Sequence, residues 1–396
     1  MHMVRAGKQL PVRLRKDLTR SIKRGHAWLF SDAIELVIAP AGSVALLSDR
    51  QGDKQLASGI YAPEHAIPLR VCRTQPPFAL DDAWLQQQLE IAAELRARVF
   101  DAQTTGYRMV AGEGDGLPGL IIDIYDRTAV IKLDGGGPEA FYQPRGIARW
   151  LQTQCGMQCV VLRSRERGQD GETLLGETPT AAIPFLENGL RFSADVLRGQ
   201  KTGFFLDQRD NRALVGRLSR GCRVLNLYSY NGGFSVAAGQ GGAQHVTSVD
   251  IARPAIEAAE RHWLDNGLPP QSHRGQAADC FGFLQAAVEA RESWELVICD
   301  PPSFAPSEKV RPRALAAYGR LAQWASRVTS RGGLLALASC SSHVDRAAFT
   351  AVNVEALGRA RRKASLLADC GLPLDHPTPL AMPELRYLKF QLFRLD

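Results

Sequence analysis

The second half of the chain repeats one pattern of apolar and polar positions from about residue 222: an apolar run, a glycine turn and an Ala-rich segment. Continuous apolar strands that alternate with helices predict a parallel sheet covered on both faces, and therefore an α/β fold. In such sheets ligands bind beyond the carboxyl ends of the strands, so residues after each run are candidate site residues. The predicted strands are residues 223–227, 245–249, 294–298 and 334–338.

The first 76 residues show a different pattern, with short β-like runs at 44–47, 59–61 and 68–71 broken by Gly, Pro and Asp. This spacing predicts a small β-rich barrel that the Pro76-Pro77 pair ends. A helix is then predicted from Asp82, as its N-cap, to about Ala102. Apolar residues at steps of three and four on one face of this helix are Leu85, Leu89, Ala92, Leu95 and Val99.

The middle of the chain predicts an α+β unit with strands at 120–125 and 129–133, joined by a tight turn at Asp126-Arg127. The acidic, Gly-rich loop 112–119 is more typical of a turn than of a phosphate cradle, because it has no Lys and precedes a strand. With a third unit beginning near Phe192, the predicted domains are residues 1–76, 77–190 and 191–396.

Composition places the 396 residues among soluble globular proteins, with 45% hydrophobic and 22% charged residues. No apolar run approaches the ~20 residues that span a bilayer, and no signal-peptide core follows Met1. We therefore expect a cytoplasmic protein whose eight cysteines are reduced. The closest pair, Cys155 and Cys159, lacks CxxC spacing and a nearby His, so no metal site is expected.

Positive charge is concentrated at the N-terminus of this chain of net charge +7, with only Asp17 to oppose it before residue 30. Such a patch favours binding to phosphate backbones, and hence a nucleic acid partner. A solvated face that aids solubility is the alternative, and charge alone leaves both open. The basic residues are Arg5, Lys8, Arg13, Arg15, Lys16, Arg20, Lys23 and Arg24.

The first strand of the α/β part runs into a turn with Gly232-Gly233, and the second ends in Asp250. An acid about 20 residues beyond a glycine turn suits a pair of ribose hydroxyls. The missing G-x-G-x-x-G fingerprint counts against a dinucleotide. S-adenosylmethionine carries no phosphate, so two glycines that give the chain room would suffice for it. The alternative is an ordinary turn, with Asp250 as a helix N-cap.

Two further acids lie at predicted strand ends. Asp279 follows the expected third strand and could accept a hydrogen bond from an adenine amino group. Asp300 begins an Asp-Pro-Pro-Ser-Phe stretch after the fourth strand. The two prolines stiffen this loop and withdraw two backbone donors, which helps to hold a flat base.

Cys340 ends the fifth strand, where a doubly wound sheet places reactive groups. Carbon-5 of cytosine is a poor nucleophile, but a thiolate that adds to carbon-6 turns the ring into an enamine that can attack a methyl group. This requires a thiol of lowered pKa, and Asp300 can hydrogen-bond the N3/N4 edge of the ring. Cys340 could instead be a small packed residue; together with Asp300 the nucleophile is favoured.

Four motifs carry a family resemblance over nearly the whole chain: residues 201–212, 228–234, 300–304 and 339–341. The first, KTGFFLDQRDNR, is the most specific; weaker similarities lie at 25–30, 112–119, 375–377 and 387–389. On these motifs the chain resembles the RlmI-type family of large-subunit (23S) ribosomal RNA cytosine-C5 methyltransferases.

The resemblance implies a PUA RNA-binding domain, a central α+β domain and a class I, Rossmann-like, S-adenosylmethionine-dependent methyltransferase domain. It implies Cys340 as the nucleophile and Asp300 as its partner at the cofactor pocket. Ser303 stands where many RNA cytosine-C5 methyltransferases have a second cysteine, which leaves the acceptor of the carbon-5 proton unassigned. A homodimer is also implied. The implied cofactor residues are Lys201, Gln208, Arg209, Tyr228, Ser229, Asn231, Gly232, Asp250 and Asp279, with Asp300.

Three rival functions remain at this point. A guanine-N7 methyltransferase with a similar Asp-Pro-Pro motif would need no thiol. A non-catalytic RNA-binding assembly factor would bind no S-adenosylmethionine, and a dehydrogenase lacks its fingerprint here. Arg163, Arg165 and Arg167 could extend an RNA surface or be gatekeeping charges at a strand edge. Cys299 precedes Asp300, so its side chain is expected on the opposite face of the strand.

Overall fold

The computed structural model describes residues 2–5, 9–164 and 168–396. Three predicted RNA-contact residues, Lys8, Arg165 and Arg167, lie outside the described residues. The chain forms two compact units. The first comprises residues 1–187, 193–206 and 374–383, and the second comprises residues 188–192, 207–373 and 384–396. In the described part of the chain, no helix is long and apolar enough to span a membrane.

The first unit begins with a five-stranded sheet. Its elements are β1 (Gln9–Arg13), α1 (Thr19–Lys23), β2 (Trp28–Leu29), β3 (Ser43–Ser48), β4 (Gln55–Tyr61) and β5 (Leu69–Arg73). The strand order is β1-β3-β4-β5-β2, and β1 is parallel to β3. The three predicted β-runs lie in β3, β4 and β5. The sequence missed β1 because Pro11 interrupts it, and β2 because it has only two residues.

A long helix, α2 (Asp82–Val99), follows and is shorter than predicted. Its N-cap is Asp81, whose carboxylate accepts a hydrogen bond from Trp84 N at 2.9 Å, so the predicted capping role of Asp82 is wrong. The Asp82 carboxylate instead accepts from Met3 N at 2.7 Å and Val4 N at 3.0 Å. Both acids satisfy the criteria for a cap in sequence, and only the long-range contact to the N-terminus separates them.

The predicted apolar face of α2 is interrupted near its end. Leu85 and Leu89 are buried as predicted, but Leu95 is 40% exposed and the neighbouring Arg96 is buried. The guanidinium of Arg96 donates to both carboxylate oxygens of Asp115, at 2.6 and 2.8 Å. A cation can replace an apolar residue at such a position only when it is paired.

The loop that was predicted to be a turn contains a 3-10 helix at Gly112–Asp115. The Glu113 carboxylate accepts hydrogen bonds from Trp28 Nε1 at 2.7 Å and from Arg70 Nη1 at 2.9 Å. The acids of this loop therefore hold the first unit together, and the expectation that the loop is not a phosphate cradle stays a prediction.

A second five-stranded sheet completes the first unit. Its elements are β6 (Gly106–Ala111), β7 (Leu120–Tyr125), β8 (Thr128–Leu133), α3 (Gly136–Phe141), α4 (Pro144–Cys155), β9 (Cys159–Arg163) and β10 (Glu172–Leu175). The order is β10-β9-β8-β7-β6. Arg163 thus lies on an interior strand, so its predicted place at a strand edge is wrong. Its guanidinium donates to the carbonyls of Val196 at 3.2 Å and Gly199 at 2.8 Å.

The boundary between the two units passes through β12 (Leu190–Ala194), which follows β11 (Ile183–Glu187). The two compact units do not reproduce the three predicted domains one to one. The division at residues 76 and 190 stays a prediction.

The second unit is built on a seven-stranded sheet. Its strands are β13 (Arg223–Leu227), β14 (His245–Asp250), β15 (His273–Ala277), β16 (Trp294–Cys299), β17 (Thr329–Ser339), β18 (Ala364–Cys370) and β19 (Lys389–Leu395). The order is β15-β14-β13-β16-β17-β19-β18, in which β19 runs antiparallel to both of its neighbours. The parallel sheet predicted from the apolar runs is confirmed, whereas the sequence did not predict β18 and β19.

Two apolar clusters cover the two faces of this sheet. Alternate residues of one strand enter different clusters: Leu225 and Leu227 belong to one, and Val224 belongs to the other. Because side chains alternate along a strand, a strand buried on both faces is apolar throughout. The covering helices are α5 (Arg209–Leu218), α6 (Gly233–Gln240), α7 (Arg253–Asp265), α8 (Cys280–Glu289), α9 (Arg311–Val328) and α10 (Arg346–Arg359).

Candidate active site

The register of the seven-stranded sheet brings the ends of four strands to one edge. Leu227, the last residue of β13, is paired with Val249 of β14 and with Cys299 of β16. Cys299 is in turn paired with Leu337 of β17. The predicted site residues that follow these positions on the four neighbouring strands are Tyr228, Asp250, Asp300 and Cys340.

The segment after β13, residues 228–232, is a compact turn that we call the cofactor loop. Tyr228, Tyr230 and Gly232 have φ angles of 57°, 46° and 80°, which is left-handed backbone. Ser229 N donates to Val249 O at 3.0 Å, and Gly232 N donates to Ser229 O at 2.9 Å. Left-handed backbone is costly for bulky side chains such as tyrosine and concentrates at functional sites.

Asp250 holds this loop in place. One carboxylate oxygen accepts a hydrogen bond from Tyr230 N and the other from Ala252 N, both at 2.9 Å. The N-cap of α7 is Ala252, so the alternative that Asp250 caps this helix is wrong. The adjacent Ile251 is 76% exposed and presents an apolar surface beside the carboxylate. The sequence analysis missed Ile251 because a single isoleucine after a strand carries no distinctive signal.

Gly232 and Gly233 are required by helix packing. A Cβ on Gly232 would lie 2.7 Å from Ala259 Cβ of α7, and a Cβ on Gly233 would lie 2.9 Å from Arg212 Cδ of α5. The space at their Cβ positions is therefore taken up by neighbouring helices, and the expectation that these glycines leave room for a cofactor stays a prediction. Only the backbone of Gly232 belongs to the cofactor loop.

Two predicted cofactor residues within this loop, Ser229 and Asn231, are buried. Asn231 accepts a hydrogen bond at its carbonyl from His262 Nδ1 at 2.9 Å. Burial lowers the pKa of His262, which keeps this imidazole neutral. The hydroxyl oxygen of Ser229 is buried and has no hydrogen-bond partner among the described residues. Such an oxygen is suited to a bound ligand, because an unpaired buried hydroxyl is costly.

Gln208 and Arg209 are each 2% exposed at the start of α5. The Gln208 side-chain oxygen accepts a hydrogen bond from Asn211 Nδ2 at 2.6 Å. Asp279 is exposed and is the N-cap of α8, where its carboxylate accepts from Gly282 N at 2.8 Å. Helix capping accounts for Asp279, and its contact with adenine stays a prediction.

Lys201 belongs to the first compact unit. Its backbone is left-handed at φ 55°, and its Nζ lies 4.5 Å from the centre of the Phe205 ring. The next residue, Thr202, donates a hydrogen bond to the buried Asp123 carboxylate at 2.6 Å. The most specific motif, residues 201–212, is thus divided after residue 206 between the two units.

The segments that follow β16 and β17 form the second part of the site. We call residues 300–305 the proline loop and residues 339–341 the nucleophile loop. The hydroxyl of Ser341, which is fully buried, lies 3.0 Å from Ser303 Oγ, 2.9 Å from the Tyr318 hydroxyl and 3.2 Å from Ala305 N. These bonds fix the nucleophile loop against the proline loop and helix α9. Ser341 was part of a predicted motif, but its linking role was missed.

Cys340 and Cys299 lie in contrasting surroundings. Cys340 is half-buried at the strand end, while Cys299 is 1% exposed and packs in an apolar cluster. Burial raises the pKa of the Cys299 thiol well above its ordinary value. Of these two cysteines, Cys340 is the more accessible to solvent, and the expected orientation of the Cys299 side chain away from Asp300 stays a prediction.

Comparisons with known proteins agree with this geometry. Residues 142–346 match the model of an S-adenosylmethionine-dependent methyltransferase family, and residues 12–74 match a PUA-like domain. The fold and the site thus define a methyltransferase that uses S-adenosylmethionine and carries a PUA-like domain.

The particular family follows from full-length relatives. "Ribosomal RNA large subunit methyltransferase" of Deinococcus radiodurans is 38% identical, with 98% of each chain covered. "Ribosomal RNA large subunit methyltransferase I" of Photobacterium profundum is 34% identical over 94% of this chain and 96% of its own. The fold is shared with SMU.776 in complex with SAH (TM-score 0.86, 24% identity, 98% and 99% covered). The chain belongs to the ribosomal RNA large subunit methyltransferase I family.

Proposed function

We propose that this protein methylates carbon-5 of a cytosine in 23S ribosomal RNA through a covalent adduct between Cys340 and carbon-6. The observation that carries the proposal is the placement of Cys340 and Asp300 after neighbouring strands, with their loops joined by the hydrogen bond between Ser341 and Ser303. The names of the relatives support large-subunit ribosomal RNA as the substrate.

The cofactor would be held by the residues around the cofactor loop. The Asp250 carboxylate suits the two ribose hydroxyls, and the exposed Ile251 suits the face of adenine. The buried hydroxyl of Ser229 supplies a further polar contact. S-adenosylmethionine, when bound, supplies an electrophilic methyl group.

In the proposed reaction the Cys340 thiolate forms a bond to carbon-6, and the π electrons of the 5,6 double bond move toward carbon-5. Asp300 stabilises the protonated N3 edge of the ring by a hydrogen bond. Carbon-5 then forms a bond to the donated methyl carbon, while the bond from that carbon to the sulfonium sulfur of the donor breaks and its electron pair stays on the donor's sulfur. A base removes the carbon-5 proton, its bonding electrons restore the double bond, and the pair in the carbon–sulfur bond returns to sulfur.

Ser303 takes no part in this release. It occupies the place of the second cysteine of many RNA cytosine-C5 methyltransferases, but its hydroxyl lies 3.0 Å from that of Ser341. A serine hydroxyl is a far weaker base than a thiolate, so we assign Ser303 to the support of the nucleophile loop.

The RNA is proposed to bind the basic N-terminal segment within the PUA-like domain. Arg13, Arg15 and Arg20 are exposed there, while Lys16 forms an ion pair with Asp32. If these cations contact phosphates, log affinity for RNA falls linearly with log salt concentration. A cytoplasmic location and a homodimer belong to the same proposal.

Large-subunit ribosomal RNA in which 5-fluorocytosine replaces cytosine tests the reaction. After methyl transfer, fluorine leaves no proton to remove, so the enzyme stays bound to its target. We expect a denaturant-resistant adduct that mass spectrometry maps to Cys340 and to one nucleotide. Methylation of natural RNA without an adduct would overturn the cytosine-C5 mechanism and make guanine N7 the leading target.

A further inference from the structure

A buried cation lies behind the nucleophile loop. Lys389 is the first residue of β19 and is 2% exposed. Its Nζ donates hydrogen bonds to the carbonyl of Ser341 at 2.6 Å and to the carbonyl of Tyr387 at 2.8 Å. A fully buried lysine is rare and requires a partner for its charge. Two carbonyl groups accept hydrogen bonds from two of its three N–H donors, but they leave its net charge uncompensated.

The sheet register explains why this ammonium group lies beside Cys340. Lys389 pairs with Ser339 across the antiparallel ladder of β17 and β19. The ammonium group binds the carbonyl oxygen of Ser341, the residue that follows Cys340. The strand that carries Lys389 begins opposite Ser339, the residue that precedes Cys340. Both neighbours of Cys340 in the chain are in this way aligned with Lys389.

Among the charged and titratable groups near Lys389, the thiol of Cys340 is the one that can best balance its positive charge. A charge on Cys340 raises the pKa of Lys389 more strongly than one on Asp345 does, and Arg346 lowers it. Burial has the largest effect and brings the pKa of Lys389 down to about 8. Tyr318 faces Cys340 from α9, and burial raises the pKa of this phenol, so it stays neutral.

We propose that Lys389 is a positioning residue, which fixes the Ser341–Ser342 peptide through the carbonyl of Ser341 and stabilises the thiolate form of Cys340 by its positive charge. The inference deepens the proposed function, because an activated thiolate is what addition to carbon-6 requires. Opposite charges within about 4–6 Å lower an acidic pKa by about 1–3 units.

The proposal also specifies where the protons of this step go. The thiol proton leaves to solvent before sulfur attacks the cytosine ring, and Lys389 keeps its own protons. At least two of its three N–H donors are held by carbonyl oxygens, so it is not the acceptor of the carbon-5 proton. The ion pair exists between the pKa of the thiol and about pH 8, above which the amine loses its charge.

The test is the pH dependence of iodoacetamide labelling of the full-length chain, without RNA or cofactor, followed by peptide mapping. For the parent protein we expect labelling of Cys340 with a midpoint clearly below ~8.5, the ordinary value for cysteine. Cys222 and Cys370 are internal comparators, since both are half-buried and burial raises their pKa values. If Cys340 in the parent protein is labelled with a midpoint at or above pH ~8.5, the proposal is overturned, regardless of the results for the variants.

Lys389→Met removes the charge at similar volume and is expected to raise the Cys340 midpoint by about one unit or more. At high pH, where the thiol is fully ionised, the labelling rate reaches a plateau that reports how accessible Cys340 is to the reagent. A purely structural role of Lys389 would change this plateau and not the midpoint. Lys389→Arg should restore the low midpoint. Lys363→Met, an exposed lysine, is the matched control and should change neither quantity. An unchanged midpoint of Cys340 labelling in Lys389→Met would contradict the inference.

This experiment can refute the role of Lys389 without refuting the proposed function, and the reverse also holds. A low midpoint for Cys340 that depends on Lys389 supports the inference even if 5-fluorocytosine traps no adduct. An adduct at Cys340 together with an ordinary midpoint supports the cytosine-C5 reaction and overturns the role of Lys389.

Discussion

The cofactor loop and the nucleophile loop lie at the same edge of one sheet but are held in different ways. The cofactor loop is fixed mainly by backbone hydrogen bonds and by one carboxylate, Asp250, at the end of the next strand. The nucleophile loop is fixed by side chains from three other segments, through Ser303, Tyr318 and Lys389.

This difference has a functional consequence. A turn shaped by its own backbone can form before a ligand binds, which suits a preformed cofactor site. A loop held by separate segments places a reactive atom within a fraction of an ångström, which suits catalysis. Changes around the first loop should therefore weaken cofactor binding, and changes around the second should lower the catalytic rate.

The largest effect is expected for Cys340→Ala. Without the thiolate, carbon-5 cannot be activated, so turnover on ribosomal RNA should fall by ~10³-fold or more. Affinity for S-adenosylmethionine, measured by calorimetry, should stay at the parent value. Cys370→Ala, a half-buried cysteine on β18, is the matched control and should keep full activity. Full turnover by Cys340→Ala would refute the thiol mechanism.

Ser341→Ala tests whether the nucleophile loop depends on its side-chain contacts. The change removes an oxygen with three neighbours, at 2.9, 3.0 and 3.2 Å. A reactive group misplaced by about 1 Å can cost ~10²-fold in rate, so kcat should fall by up to this factor. The KM for S-adenosylmethionine should be unchanged. Ser330→Ala, near the other end of β17, serves as the control. A rise in that KM with normal kcat would contradict the distinction between the loops.

Asp250→Asn, in contrast to Ser341→Ala, should weaken cofactor binding and leave the catalytic rate nearly unchanged. The amide keeps one acceptor oxygen but loses the charge, and it can satisfy only one of the two backbone donors, Tyr230 N and Ala252 N. We expect the KM for S-adenosylmethionine to rise by about tenfold, with kcat at saturation close to the parent value. Asp265→Asn, an exposed acid on α7, is the matched control in steady-state kinetics. A large loss of kcat at saturating cofactor would show that both loops act as one unit.

The smallest effect is expected at Asp279, where a pair of variants separates capping from cofactor binding. Asp279→Ala removes the N-cap of α8 and should lower the free energy of unfolding by about 1 kcal/mol. Asp279→Ser keeps a capping oxygen and should unfold like the parent in urea. If Asp279→Ser nevertheless loses affinity for S-adenosylmethionine, the carboxylate contacts the cofactor. Unchanged affinity would leave capping as its only role.

The sequence by itself determined the sheet and the positions of most site residues. Apolar runs at regular intervals specify buried parallel strands, and the residue after each run must lie at the same edge, so Asp250, Asp300 and Cys340 could be predicted. The family resemblance added the PUA-like domain and the cofactor. Both signals are local, because each depends on residues a few positions apart.

Only the tertiary structure decided the features that depend on residues distant in the chain. The sequence could not distinguish Asp81 from Asp82 as a helix cap, because the N-terminus binds the second of them. It could not show that Ala259 fills the space beside Gly232. Nor could it place Lys389 behind Cys340, since that neighbourhood follows from an antiparallel pairing across about fifty residues. Such contacts are specified by packing, and no local pattern encodes them.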